Sequence, residues 1–185
     1  MISMIGITYM WGMPLIDKQK DVVKISNSES FMKELDDKIQ DVIKNGGTRR
    51  ITNPDFTGTL TLTDSGIDDV FLLKLETTGT DIATGTNIYL RGDSRNEVVI
   101  GEEPGTLKVL SVETSENKYD VTTELYYRNI TSSNKKYIID LVGLGRGSIT
   151  SGEHNIIISE GDSPSIPVIE SGTEIYKTVI NVRIE

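Results

Sequence analysis

Beyond Gly47 the sequence is a succession of short strand-like runs, and this pattern constrains the fold more than any other feature. Glycine, asparagine, aspartate, serine and proline separate the runs, as expected of turns. The runs recur about every 8–14 residues, a spacing typical of sandwiches and barrels. No helical period interrupts them, which argues against a fold of alternating strands and helices. The predicted strands are 57–63, 70–76, 87–92, 97–101, 107–113, 119–130, 135–145, 154–161, 166–170 and 175–185.

Two of the separating segments, 114–118 and 131–136, have the composition of hairpin loops. They predict that the run at 119–130 pairs with the runs before and after it in one meander. The hydrophobic fraction of 36% is modest, and it suits thin β layers better than a large helical core. We therefore expect a mainly β chain, with an antiparallel β-sandwich or jelly-roll-like domain over residues 48–185.

One amphipathic helix is predicted ahead of the β domain, at residues 25–47. Ser26 and Glu29 have the spacing of a capping box, and Asn45-Gly46-Gly47 supplies a C-terminal stop. Apolar residues recur at intervals of three and four, which indicates either a helix packed on the sheet or a coiled-coil seam. The stripe lasts about two heptads, fewer than a coiled coil requires, and this favours packing on the sheet. Its main members are Phe31, Leu35, Ile39 and Val42.

The first 16 residues, MISMIGITYMWGMPLI, are strongly apolar. They lack the basic start and the cleavage pattern of a signal peptide, and no targeting signal is evident. The segment is too short to span a bilayer, and Gly6, Gly12 and Pro14 interrupt it. We expect residues 1–24 to form an arm, either the first strand of the domain's own sheet or an insertion into a partner subunit. The arm's candidate partner-binding residues are Met10, Trp11, Met13 and Leu15.

The charge of the chain argues against two classes of partner. Its net charge is −9, and its only basic pairs are Arg49-Arg50 and Lys135-Lys136. Nucleic acids and anionic membranes both require a cationic surface, so we expect neither as a partner. The chain contains no cysteine, which excludes disulfides, thiolate metal sites and a cysteine nucleophile.

The sequence shows no motif that predicts catalysis. His154 is the only histidine, and nothing around it resembles a nucleophile elbow. The GLGRGS segment at 143–148 lacks the spacing and the following helix of a dinucleotide site. Adjacent carboxylates such as Asp68 and Asp69 point apart in a strand or helix, so they do not predict a glycosidase pair. We expect no enzyme, no cofactor and no metal site.

Two features leave a binding function open. Arg91-Gly92-Asp93 is a tripeptide that some receptors recognise, although glycine–aspartate is also a common turn. Tyr126 and Tyr127 lie in the predicted meander and must point to opposite faces of their strand, one toward the core and one outward. Exposed tyrosines bind sugars and proteins well, so the alternative function is a carbohydrate- or receptor-binding module with a host-surface glycan or receptor as its partner.

The acidic, cysteine-free, Thr/Gly-rich β domain with its apolar arm and short helix resembles the small virion proteins of tailed bacteriophages. Head fibres, capsid decoration proteins and tail components are of this kind, and the resemblance is one of style over the whole chain. It implies a non-catalytic structural subunit located in the virion and made in the host cytoplasm. Other virion proteins and further copies of the chain, as a trimer, would be its partners. The resemblance also implies that residues 1–24 are the anchor and that the stripe Phe31, Leu35, Ile39 and Val42 is the oligomer seam.

Overall fold

The computed structural model describes residues 2–63 and 69–185, with side chains from Ile16 onward within those ranges. The described residues form one helix, α1 (Ile2–Asn45), followed by thirteen strands. The strands are β1 (Thr48–Thr52), β2 (Thr59–Thr63), β3 (Val70–Thr77), β4 (Ile88–Arg91), β5 (Glu97–Val99), β6 (Gly105–Ser115), β7 (Lys118–Tyr127), β8 (Asn129–Ser132), β9 (Lys135–Gly145), β10 (Ser148–Thr150), β11 (Asn155–Glu160), β12 (Val168–Glu170) and β13 (Thr173–Ile184). The predicted mainly β class is confirmed.

The strands form two sheets, in the manner of a β-sandwich. Sheet A has the order β1-β11-β13-β9-β8-β5, and β12 pairs with the first residues of β13. Sheet B has the order β10-β2-β3-β7-β6-β4. Most pairs are antiparallel, but β9 runs parallel to β13 and β5 runs parallel to β8. The expectation of an antiparallel sandwich is therefore wrong for these two pairs, because apolar periodicity does not specify the direction of a partner strand.

The main core lies where α1 meets both sheets. Leu35 and Ile39 of the helix share one buried cluster with Ile156 of sheet A and with Leu60 and Leu107 of sheet B. The helix places a buried stripe against the sheets at intervals of three and four residues, as an amphipathic helix does. The stripe consists of Asp21, Ile25, Ser28, Met32, Leu35, Ile39 and Val42.

Helix α1 is longer than the sequence indicated. It is continuous from Ile2, so the segment expected to be an arm is helical and joined directly to the packed helix. Ser26 lies inside the helix, where its carbonyl accepts a hydrogen bond from the Ser30 hydroxyl at 2.8 Å, so the predicted capping box is wrong. The predicted stop is confirmed, because Gly46 has a φ of +66° and its N–H bonds the Val42 carbonyl at 2.8 Å.

The predicted meander does not form, because the chain changes sheets after Tyr127. The hairpins β6–β7 and β8–β9 both exist, but the first belongs to sheet B and the second to sheet A. Arg128 sits at the crossing and is buried; its guanidinium bonds Asp93 and the Glu103 carbonyl, both at 2.7 Å. Its backbone N–H bonds the Pro104 carbonyl at 2.9 Å. A single buried cation thus divides what looked like one long strand.

Candidate functional site

The stripe expected to form an oligomer seam lies inside the chain's own core. Phe31, Leu35, Ile39 and Val42 are at most 4% exposed, and all belong to the main buried cluster. A side chain buried in this way leaves no surface for a partner subunit. Of the two interpretations of the stripe, the structure matches a helix packed on the sheet. The prediction that these four residues form an oligomer seam is corrected to a place in the chain's own core.

The other candidate partner-binding residues lie in the N-terminal part of α1. The backbone of this part is helical, but the side chains of Met10, Trp11, Met13 and Leu15 fall outside the described residues. Their role in binding a partner stays a prediction. None of the described residues belongs to a helix with both the length and the apolar character of a bilayer span.

The first residues of α1 whose side chains are described are exposed on all sides of the helix. Residues 16–20 are all exposed, and the first buried side chain among those described is Asp21. At 1.5 Å per residue, the 19 residues from Ile2 to Lys20 make a helix about 28 Å long. Two large apolar side chains on this part of the molecule face solvent: Ile16 is 51% exposed and Val23 is 57% exposed.

A buried carboxylate fixes the point where this segment joins the body. Asp21 accepts hydrogen bonds from the Thr78 N–H at 3.0 Å and the Thr78 hydroxyl at 2.7 Å, just after β3. Lys24 bonds its other oxygen at 2.8 Å. Burial acts to raise the pKa of Asp21, but the hydrogen bonds from Lys24 and Thr78 outweigh it, so this pKa lies well below its ordinary value. The helix is therefore held by hydrogen bonds as well as by packing where it meets sheet B, while the Lys24–Asp21 ion pair lies within the helix itself.

A second polar cluster holds the middle of α1. Asp36 is fully buried and accepts hydrogen bonds from the Tyr127 hydroxyl at 2.7 Å and from Arg91 at 2.7 Å. The Gln40 amide donates to the same carboxylate at 3.1 Å. Burial and the charge of Asp36 raise the pKa of Tyr127 well above its ordinary value. A Cβ added to Gly105 would lie 2.8 Å from an Asp36 oxygen, so a glycine is required for this close approach.

The Arg91-Gly92-Asp93 tripeptide belongs to the same region and is occupied by internal contacts. Arg91 bonds the carboxylates of Asp36 and Asp37, at 2.7 and 2.5 Å. Asp93 accepts from Arg95 and Arg128, and the Arg95 hydrogen bonds lower the pKa of Asp93 to about 2. Gly92 has a φ of +67°, and a Cβ added to it would lie 2.9 Å from the Gly105 carbonyl oxygen. Both charged residues of the tripeptide therefore bond other residues of the same chain. The tripeptide itself forms a bend at the end of β4.

The tyrosines divide as the strand geometry predicts. Tyr127 points inward to Asp36, whereas Tyr126 lies on the opposite face of β7, with the Lys108 ammonium 5.6 Å from its ring centroid. On sheet A, Tyr137 and Tyr176 stack with their ring centroids 5.1 Å apart. Tyr126 therefore belongs to the outer surface of sheet B.

The described residues contain no group of three or more histidine, aspartate or glutamate side chains placed to hold a metal ion. His154 lies just before β11, where its carbonyl accepts the Asn53 N–H at 2.9 Å. The GLGRGS segment spans the end of β9 and the turn into β10, and Gly145 there has a φ of +100°. The glycines of this segment therefore belong to the end of β9 and to the turn that connects it to β10.

Comparison with protein-family models, with curated proteins and with solved structures found no match to this chain. The class that the fold defines is a two-sheet β protein with a long N-terminal helix. The long helix and the outer surfaces of the two sheets are the features of this fold that bear on function.

Proposed function

We propose that the protein is a non-catalytic structural subunit of a larger assembly, which self-associates through the N-terminal half of α1 and projects its β domain. The observation that carries the proposal is the exposure of Ile16 and Val23 on a helix that continues to Ile2. Large apolar side chains left in water cost about 25 cal/mol per Å² of surface, so covering them favours association.

The exposed residues belong to a heptad pattern distinct from the core stripe. Ile16 and Val23 are seven residues apart, and Val23 is two residues from both Asp21 and Ile25 of the core stripe. Two residues correspond to about 200° around a helix, so the two stripes occupy opposite sides. In the sequence the same spacing, alternating three and four, continues through three heptads: Ile2, Ile5, Tyr9, Gly12, Ile16, Gln19 and Val23.

A stripe of this length and spacing is the pattern of a coiled coil between copies of a helix. Gln19 would place one polar layer between the Ile16 and Val23 layers, and a single polar layer specifies register at some loss of stability. We favour a parallel trimer in a phage virion as the assembly. That choice of particle is supported by the resemblance in style described above.

The test is the solution mass of the full chain, measured by light scattering coupled to size exclusion. The 20.4 kDa chain should form a species of about three times that mass. The double variant Ile16→Gln/Val23→Gln should shift the population toward monomer, because it places two more glutamine side chains of each chain in the seam. The matched control is Val99→Gln, which alters an exposed valine of the β domain and should leave the trimer intact.

Circular dichroism of each variant confirms that it is folded. A full chain that is monomeric at concentrations of tens of micromolar would contradict the proposal. So would a double variant that keeps the mass of the unmodified chain.

A further inference from the structure

The outer surfaces of the two sheets meet in a cleft of about 740 Å³, at the place where the chain passes from β7 to β8. Glu124 and Tyr126 reach the cleft from β7, on the face opposite the buried Leu125. Ile138 and Asp140 of β9 line the side formed by sheet A. A volume of this size is within the usual range of small-molecule sites, which run from about 300 to 1,000 Å³.

Polar groups without internal partners face this space. Neither the Tyr126 hydroxyl nor the Asn129 side-chain amide has a hydrogen-bond partner among the described residues. Both residues are half-buried. A tyrosine offers an apolar ring and a hydroxyl together, and an amide offers two donors and an acceptor. These groups are able to bind a ligand that has hydroxyls on an otherwise hydrocarbon ring.

The basic residues that line the cleft have acidic partners: Lys136 lies 3.9 Å from Glu97, and Arg128 lies 2.7 Å from Asp93. Lys108 lies 2.7 Å from Glu124, and Lys177 lies 2.8 Å from Asp140, with all four residues lining the cleft. A polyanion would meet the two carboxylates, and a cation would meet the two ammonium groups. Each ion pair places donors beside acceptors, which suits a hydroxyl because a hydroxyl both donates and accepts. The charge pattern therefore favours a neutral polyhydroxylated ligand over a charged one.

We propose that this cleft binds a neutral oligosaccharide. The Tyr126 ring packs against the C–H face of a sugar, and the Asn129 amide and the two ion pairs bond its hydroxyls. The site is independent of the seam on α1, because it depends only on side chains of the β domain.

The experiment screens the full chain against an array of neutral and acidic oligosaccharides and measures the best neutral binder by titration calorimetry. Tyr126→Ala and Asn129→Ala should each weaken that binding about tenfold, equivalent to ~1.4 kcal/mol. The control is Tyr89→Ala, which removes an exposed tyrosine on β4, outside the cleft.

Circular dichroism establishes that each variant is folded. If Tyr126→Ala does not fold, the loss of binding is measured with Asn129→Ala alone. Selective binding of neutral glycans that both cleft variants weaken would support the proposal. The proposal is overturned if the full chain binds no neutral glycan at millimolar concentration, if it prefers acidic glycans, or if binding survives the cleft substitutions.

Discussion

Replacement of Asp36 by alanine should be among the most damaging single changes in the described part of α1. The side chain is fully buried and accepts hydrogen bonds from Tyr127, Arg91 and Gln40. Alanine would leave the Tyr127 hydroxyl and the Gln40 amide without this partner inside the protein. It would also remove the buried half of an ion pair whose cation, Arg91, is only 26% exposed.

The expected fall in the free energy of unfolding follows from the interactions that each group loses. An orphaned buried donor costs about 1–3 kcal/mol, and removing one member of a buried ion pair costs about 3–5 kcal/mol. These losses overlap, since Arg91 keeps its contact with Asp37. We therefore expect Asp36→Ala to lower the free energy of unfolding by about 4 kcal/mol. For a chain of this length, that corresponds to a fall in Tm of about 10 °C.

Asp37 supplies a matched control. It is the adjacent aspartate and binds the same Arg91 nitrogen, but its side chain is 62% exposed. An exposed ion pair contributes less than about 1 kcal/mol, so Asp37→Ala should change the unfolding free energy little. Asp36→Asn keeps an acceptor in place and should be intermediate between the two alanine variants.

Urea unfolding followed by circular dichroism, together with thermal melts, measures all three variants against the unmodified chain. Similar losses for Asp36→Ala and Asp37→Ala would refute the reasoning. Such a result would mean that the position of the carboxylate, and not its burial, determines its contribution.

Two further predictions concern a turn and the response to acid. Gly58→Ala should lower the free energy of unfolding by at least about 2 kcal/mol in urea titrations, because Gly58 has a φ of +108° and a Cβ there would lie 2.0 Å from the Lys74 carbonyl. Gly147→Ala, with nothing within 4 Å, should change it by less than about 1 kcal/mol; equal effects would argue against the steric reasoning. Asp21 has a depressed folded pKa, so its stabilisation is complete above its ordinary pKa of 3.8 and is lost as the pH falls toward the folded value. Urea midpoints between about pH 2 and 5 should therefore fall less steeply in Asp21→Asn than in the exposed control Asp17→Asn, and parallel slopes would contradict this assignment.

The strands that are most evident in the sequence are those that bury several side chains. β3 alternates Phe71, Leu73 and Leu75 toward the core, and a period of two is visible in any such run. The two strands that the prediction missed, β1 and β10, each bury one side chain, Ile51 and Ile149. One apolar residue in a short polar segment produces no period, so only the pairing with β11 and β2 identifies these strands.

The assignment of strands to sheets could not be predicted, because it depends on residues distant in sequence. Arg128 ends β7 by bonding Asp93 and the Glu103 carbonyl, which lie 35 and 25 residues earlier in the chain. Arginine is seldom buried unless it has a partner. A lone arginine in a β-rich run reveals no partner, so it gives no indication that its side chain is buried. The partner, Asp93, appeared in the sequence only as part of a tripeptide typical of turns.

The helix shows the same division between local pattern and tertiary context. The spacing of Leu35, Ile39 and Val42 correctly predicted one apolar face, but spacing alone does not distinguish a chain's own core from a seam with a partner. The structure assigns that face to the core. The stripe that contains Ile16 and Val23 was less evident, because Gly12 and Gln19 interrupt its apolar character.

The two proposed sites lie at opposite ends of β3, and this arrangement determines how they would work together. Val70 at one end of the strand lines the cleft, and Thr77 at the other end precedes Thr78, which binds Asp21 where α1 leaves the body. Seven residues of strand separate the two ends by about 23 Å. Chains joined through Ile16 and Val23 would therefore keep their clefts open and distant from the seam. Three clefts on one trimer would bind a multivalent glycan surface more tightly than one chain does, so the Ile16→Gln/Val23→Gln variant should lose avidity for a glycan-coated surface while keeping its affinity for the free oligosaccharide.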